Sequence, residues 1–378
     1  MKVVRSIEDR DPLSQLVRLL APRPSAFTQL SAGGYWAVRF PGDTGLFFGA
    51  ATRGCSVVSG SFGTVELRAG DTMVLASPAD FRIGSDTTTV PVSGLSAPNG
   101  HVPGMTHLGS GPEVSQILLG HYDLDAIEPE VLLRLLPAAG LVRSVDAHAA
   151  QVHRLIELLV SEVSEPQLGS RLMVERFGEL LLIACLRGVA HNFAHDADLD
   201  AFTSTGILRG MADPIVGAAV RAMHDDVAAP WTVAELARQA NASRSIVAER
   251  FTRVVGSAPM TYLLMWRLAL AKEAIARGDS SLTQIAHSLG YSSVSSFSTA
   301  FRRQVGKSPG QFAADLRLST EAEASVGVAV ADQSDLSSVR VQRSYLSDYV
   351  DDIGRSRNTD GRSQCLPADF GTDDMGEP

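Results

Sequence analysis

The chain of 378 residues is short of several things, and each shortage removes a class of explanation. It has only three cysteines, Cys55, Cys185 and Cys365, odd in number and widely spaced. That argues against a disulfide framework or a cysteine-rich zinc site and fits a reducing cytoplasm. Long apolar runs are missing too. The stretch Leu180 to Leu186 falls far short of the ~20 residues a membrane helix needs, and MKVVRSIEDRDP turns charged too early for a signal peptide. Neither a Gly-rich phosphate loop nor a nucleophile elbow occurs. His101, His107 and His121 are scattered without ligand spacing. No catalytic residue, cofactor, metal ion or membrane partner is expected, and the chain does not read as an enzyme.

Charge is present but uneven. The net value is −9, yet 212–317 carries 12 Lys/Arg against 8 Asp/Glu, whereas 319–378 carries 5 Arg against 12 Asp/Glu. A mildly basic module is followed by an acidic tail. The tail is rich in Ser, Asp and Gly without periodicity and is expected to be disordered, VQRSYLSDYV being a candidate docking helix within it.

Residue type and period change along the chain. Asp11-Pro12 is a good N-cap and first-turn pair ahead of the amphipathic LSQLVRLL. From about residue 25 to 125, short β-type runs alternate with glycines (YWAVRF, GLFFGAA, CSVVSG, TVELRAGDTMVLAS, VSQILLGHYDLD). They predict an all-β sandwich or barrel, with a hairpin loop at Ser59–Gly63. Trp36, Phe47, Phe48 and Tyr122 could line a cavity in it, although aromatic residues in strands are more often core. Cys55 lies in a strand, as a buried structural thiol or a redox sensor. From about Ala147 the period becomes helical. AQVHRLIELLVSEVSE sets Val152, Leu155, Leu158, Leu159 and Val163 on one face, and SRLMVERFGELLLIACLRGVAH continues as a second helix, giving a hairpin suited to dimerisation.

An internal repeat carries the strongest signal. TVAELARQANASRSIVAERFTRVVGSAP aligns with SLTQIAHSLGYSSVSSFSTAFRRQVGKSP. Both copies open with a capping box, Thr232 with Glu235 and Ser281 with Gln284. Ala237 pairs with Ala286 at an offset of 49, but Phe251, Gly256 and Pro259 pair with Phe301, Gly306 and Pro309 at 50. The one-residue slip must lie in the turn between the two helices of each unit. Each copy reads as helix, turn, helix, glycine stop, and such a unit places its second helix in a DNA major groove. Inward positions are Leu236, Ala237, Ala240, Ile246 or Val247, and Phe251, then Ile285, Ala286, Leu289, Phe297 and Phe301. The second helix of the second copy is left with Ser292, Ser293, Ser295, Ser298 and Thr299 outward. Small hydroxyl side chains permit close approach to base edges, and Arg302, Arg303 and Lys307 suit phosphate oxygens. The first copy offers Arg244, Ser245, Ala248 and Glu249 to bases, with Arg250 and Arg253 towards the backbone. Between the copies, MTYLLMWRLALAKEAIARGDSS predicts one continuous helix stopping at Gly278.

These residues resemble the AraC/XylS-type bacterial transcription regulators. The resemblance covers about Asp213 to Arg317, including RLALAKEAI from Arg267 and IAHSLGYSSVSSFSTAFRRQVGKSPGQF. It implies a sequence-specific transcription regulator with promoter DNA and RNA polymerase as partners. Its base-reading positions fall on Ser245, Ala248, Glu249, Ser295, Ser298 and Thr299. Glu249 departs from the basic residue common at that position. From Asp11 to about His191, LRAGDTMVLASPADFRI resembles the cupin-like sensor domain of one branch of that family, which implies a small effector or dimerisation. The rival is a cupin-type enzyme fused to a DNA-binding module, but metal-binding cupins carry a close histidine pair where this strand reads ASPADFRIGSD. The expected fold is α+β and multidomain, with a cupin-like β-barrel (1–146) and a helical hairpin (147–195). A linker (196–211), an all-α double helix-turn-helix domain (212–318) and the acidic tail (319–378) complete it.

Overall fold

The computed structural model describes residues 11–42, 44–93, 105–110, 112–126, 129–195, 205–278 and 280–318. His101 and the acidic tail therefore lie outside the described residues. Helix α1 (Pro12–Leu20) begins as its sequence dictates. Asp11 is the N-cap and accepts from the Ser14 N–H at 3.0 Å, and Leu16 and Leu20 are fully buried.

Two sheets follow. The strands are β1 (Pro22–Gly33), β2 (Ala37–Phe40), β3 (Leu46–Arg53), β4 (Cys55–Gly60), β5 (Gly63–Arg68), β6 (Thr72–Ala76), β7 (Phe81–Gly84), β8 (Val92–Ser93), β9 (Met105–Gly109) and β10 (Ser115–Leu124). Helix α2 (Pro129–Leu133) separates them from β11 (Ala139–Val142). One sheet runs β11-β6-β3-β10-β1-β9 and the other β5-β4-β7-β2-β8. The expected hairpin joins β4 to β5, with Gly60 opposite Gly63 and Gly63 at φ +106°. Phe47 of the first sheet packs on Phe81 of the second at 4.7 Å between ring centres, and Phe81 stacks on Phe40 at 5.0 Å. Phe40 and Phe81, like Trp36, Phe48 and Tyr122, are buried in the core, and Phe47 is half-buried beside them.

The helical pair is α3 (Ala149–Ser164) and α4 (Ser170–His195). The buried face of α3 is Val152, Ile156 and Leu159; Leu158, expected on it, is 48% exposed. Helix α4 lies on the outer face of the first sheet. Tyr122 donates to the Gly178 carbonyl at 2.8 Å, and a side chain at 178 would collide with Pro24 and Phe27. Cys185 is a free thiol buried in α4, and burial pushes its pKa well up. Cys55 stands half-buried at the start of β4.

The expected linker 196–211 is not irregular throughout. Its end forms helix α5 (Ile207–Ala212), with Ile207 and Leu208 fully buried. Then come α6 (Pro214–Asp225), α7 (Val233–Gln239), α8 (Arg244–Val255), α9 (Pro259–Arg277), α10 (Leu282–Ser288) and α11 (Val294–Val305), with residues 309–318 again helical. Two compact units result, dividing between Leu270 and Ala271 within α9. The larger holds the barrel, the hairpin and the first helix-turn-helix, and the second copy belongs to the other. No single described helix is long and apolar enough to cross a membrane.

Candidate nucleic-acid interface

The first copy is α7, a turn and α8. Thr232 and Glu235 form the expected capping box, and Ser243 caps α8 by accepting from the Ile246 N–H. The turn needs a left-handed residue, supplied by Asn241 at φ +49°; its side chain type tolerates that region better than most. Gly256 at φ +87° ends α8. In the second copy Ser281 and Gln284 cap α10, Gly290 makes the left-handed turn at φ +82°, and Gly306 ends α11.

The register slip can now be located. The Ala242 N–H reaches the Ala237 carbonyl at 2.9 Å, and the Tyr291 N–H reaches Ala286 at 2.9 Å, still at an offset of 49. The next residues in register are the two N-caps, Ser243 and Ser293, at 50. Ser292 is therefore the inserted residue and belongs to the turn, not to the outer face of the helix. Ser293 is likewise taken out of that face, because it forms a third capping box with Ser296.

Burial sorts the two faces of each second helix. In the first copy Val247 and Phe251 are buried, Ile246 is 47% exposed and Ala240 is half-buried. In the second, Ile285, Ala286, Leu289, Phe297 and Phe301 are all buried, with Phe301 between Phe297 at 5.6 Å and Phe312 at 5.5 Å. Sealing an aromatic ring from water is worth roughly 2–3 kcal/mol, so these rings fix which face turns outward.

On the outward faces Arg244, Ser245 and Glu249 are exposed on α8 with Ala248 half-buried, and Ser295 and Thr299 are exposed on α11 with Ser298 half-buried. The Thr299 hydroxyl donates to the Ser295 carbonyl at 2.9 Å. Its oxygen lone pairs and methyl group remain for a ligand. Arg253, Arg302 and Arg303 are exposed. Two cations are less available than the sequence suggests. Arg250 is half-buried, and its Nε donates to Asp213 Oδ2 at 2.5 Å. Asp213 is also the N-cap of α6, accepting from Ile215 and Val216 through its other oxygen. Arg250 thus ties α8 to α6 through its Nε. Lys307 pairs with Asp315 at 2.5 Å, both partly exposed, a pair that is cheap to exchange for a phosphate.

Sequence reasoning missed a polar chain beneath this surface. His224 of α6 is buried beside Tyr262 and Trp266 of α9, and its ring contacts Gln15 of α1. A separation of 209 residues leaves no local signal for such a contact. Among the described residues no group of three or more His, Cys, Asp or Glu is placed to hold a metal ion.

Comparisons with known proteins bear on both parts of the chain. A cupin family profile matches residues 11–191 and a helix-turn-helix domain profile matches 236–315. An AraC-like transcription regulator of Streptomyces lividans is 35% identical over 304 residues, covering 80% of this chain and 97% of the relative. One from Streptomyces antibioticus is 35% identical over 304 residues, covering 80% and 98%. Among solved structures, the DNA-binding domain of AdpA in complex with a target DNA is 30% identical, with TM-score 0.26, covering 28% of this chain and 95% of that one. ToxT of Vibrio cholerae is 12% identical, with TM-score 0.29, covering 77% and 96%.

Proposed function

The chain belongs to the AraC-type transcription regulators, DNA-binding proteins here with a cupin module ahead of the helix-turn-helix domain, and from that premise we propose how it reads its site. Helices α8 and α11 enter successive major-groove segments of one promoter duplex, about 34 Å apart, so that one polypeptide reads both. The observation that carries this reading is the pair of capped, equivalent second helices, each with its large side chains buried and its small or charged ones exposed.

Ser295, Ser298 and Thr299 meet base edges in one segment, and Arg244, Ser245, Ala248 and Glu249 meet them in the other. Glu249 accepts from a cytosine amino group, which favours cytosine at its position. Arg253, Arg302, Arg303 and Lys307 contact phosphates. A small effector in the barrel shifts the population of binding-competent molecules. A second copy pairs through the hairpin, where Leu158, Leu172 and Leu180 are exposed. Bound at a promoter in the cytoplasm, the protein contacts RNA polymerase.

The test begins with duplexes selected from a random pool by the full chain. Arg302→Ala is expected to weaken binding to all selected sequences and to lower the salt slope by about one. Ser295→Ala is expected to keep the slope and relax preference at one base pair, by roughly 1 kcal/mol. Identical behaviour of the two variants overturns the assignment of roles.

A further inference from the structure

Helix α1 belongs to the N-terminal module by sequence, yet it touches the first helix-turn-helix through a continuous polar chain. The Gln15 carbonyl oxygen lies 3.0 Å from His224 Nδ1, and His224 Nε2 lies 2.6 Å from the Tyr262 hydroxyl. An amide oxygen only accepts, so Nδ1 carries the proton and Nε2 is the acceptor for the Tyr262 O–H. Burial keeps both ends in that state, holding Tyr262 protonated and His224 neutral. Tyr262 in turn packs edge-on against Phe251, the inward anchor of α8, with ring centres 5.5 Å apart. Four side chains therefore run from α1 through α6 and α9 to the helix proposed to read DNA.

A backbone strap runs parallel to this chain. The Ile207 N–H reaches the Leu135 carbonyl at 2.6 Å, and the Gly206 N–H reaches the Val254 carbonyl near the end of α8. Gly206 sits so close to Leu135 and Leu136 that a side chain there would collide with their backbone. Helix α8 is thus held to the N-terminal module at both its middle and its end.

We infer that His224 is a positioning residue of the first DNA-reading unit, and that through Gln15 and Tyr262 it transmits the docking of α1 to the seat of helix α8. His224 touches no base or phosphate in this scheme. It acts by limiting the ways Tyr262, and so Phe251, can pack. The inference takes its meaning from the DNA-reading role of α8, but it is tested without DNA, so one can fail while the other stands.

The experiment is amide hydrogen exchange on the full chain. Gln15→Ala removes the acceptor at one end, and exchange in α8 is expected to quicken roughly threefold to tenfold, the span of one net hydrogen bond, while β3 and β10 stay unchanged. Gln15→Glu keeps an acceptor oxygen and is expected to restore the original rates. Tyr262→Phe removes only a hydroxyl, and by reciprocity it is expected to quicken exchange in α1. Unchanged rates in α8 for Gln15→Ala, or in α1 for Tyr262→Phe, overturn the inference. So does equal acceleration in the barrel strands, which marks general destabilisation.

Discussion

The two helix-turn-helix copies share a frame but not a neighbourhood. Both have a capped first helix, a left-handed residue in the turn, a serine-capped second helix and a left-handed glycine to end it. The first copy is built into the larger unit, where α8 answers to Asp213, Tyr262 and, through His224, to α1. The second lies in the unit that begins at Ala271 and anchors α11 on its own aromatic row, Phe297, Phe301 and Phe312. Duplication preserved what makes the motif fold. What differs is what each copy is attached to.

The largest effects should come from removing the equivalent anchors. Phe251→Ala and Phe301→Ala are each expected to cost about 3–5 kcal/mol. In calorimetry the first should lower the melting of the unit that contains the barrel, and the second only the other transition. A common shift for both variants would erase the distinction between the copies.

A smaller effect separates the arginines. Arg250→Ala leaves Asp213, 10% exposed, without its partner and should cost about 1–3 kcal/mol of stability in chemical denaturation. Arg303→Ala, with its exposed head group, should leave stability unchanged and lower the salt slope of DNA binding by about one.

The larger unit also carries a pH-dependent contribution to stability. Burial pushes the His224 pKa down to about 3, so between that value and ~6.5 the unfolded chain binds a proton that the folded one refuses. This contribution to stability is complete above pH ~6.5 and is lost as pH falls, at up to ~1.4 kcal/mol per unit. Urea titrations at pH 7, 6 and 5 should show that loss in the larger unit, with a shallower slope in His224→Gln. The smallest effect tests the turns. Gly290→Ala and Asn241→Ala should each cost about 1 kcal/mol, because each places an ordinary side chain at positive φ.

Much of this was legible because it is short-range. Capping boxes lie within four residues, and the inward phenylalanines follow helical period, so Thr232, Ser281, Phe251 and Phe301 were all readable from the chain. What was not legible is tertiary. Arg250 has the spacing of a phosphate contact, and nothing local announces its ion pair with Asp213, 37 residues away. The end of the expected linker 196–211 is tied by backbone hydrogen bonds to Leu135 and Val254, partners its own pattern does not announce. Leu158 shares a helical stripe with Leu155 and Leu159 but overshoots the face covered by α4. The relay through His224 left no trace, since nothing about a lone histidine in α6 indicates a glutamine in α1.

Ser292 carries a practical lesson for anyone who wants to exchange the two reading helices. A residue added to a helix turns everything after it by about 100°, but one added ahead of the cap leaves the helix phase intact. Grafts that begin at Ser243 and Ser293 are therefore interchangeable in phase. Single positions exchanged at the turn's offset of 49 would instead set Phe251 against Ala300 and miss Phe301.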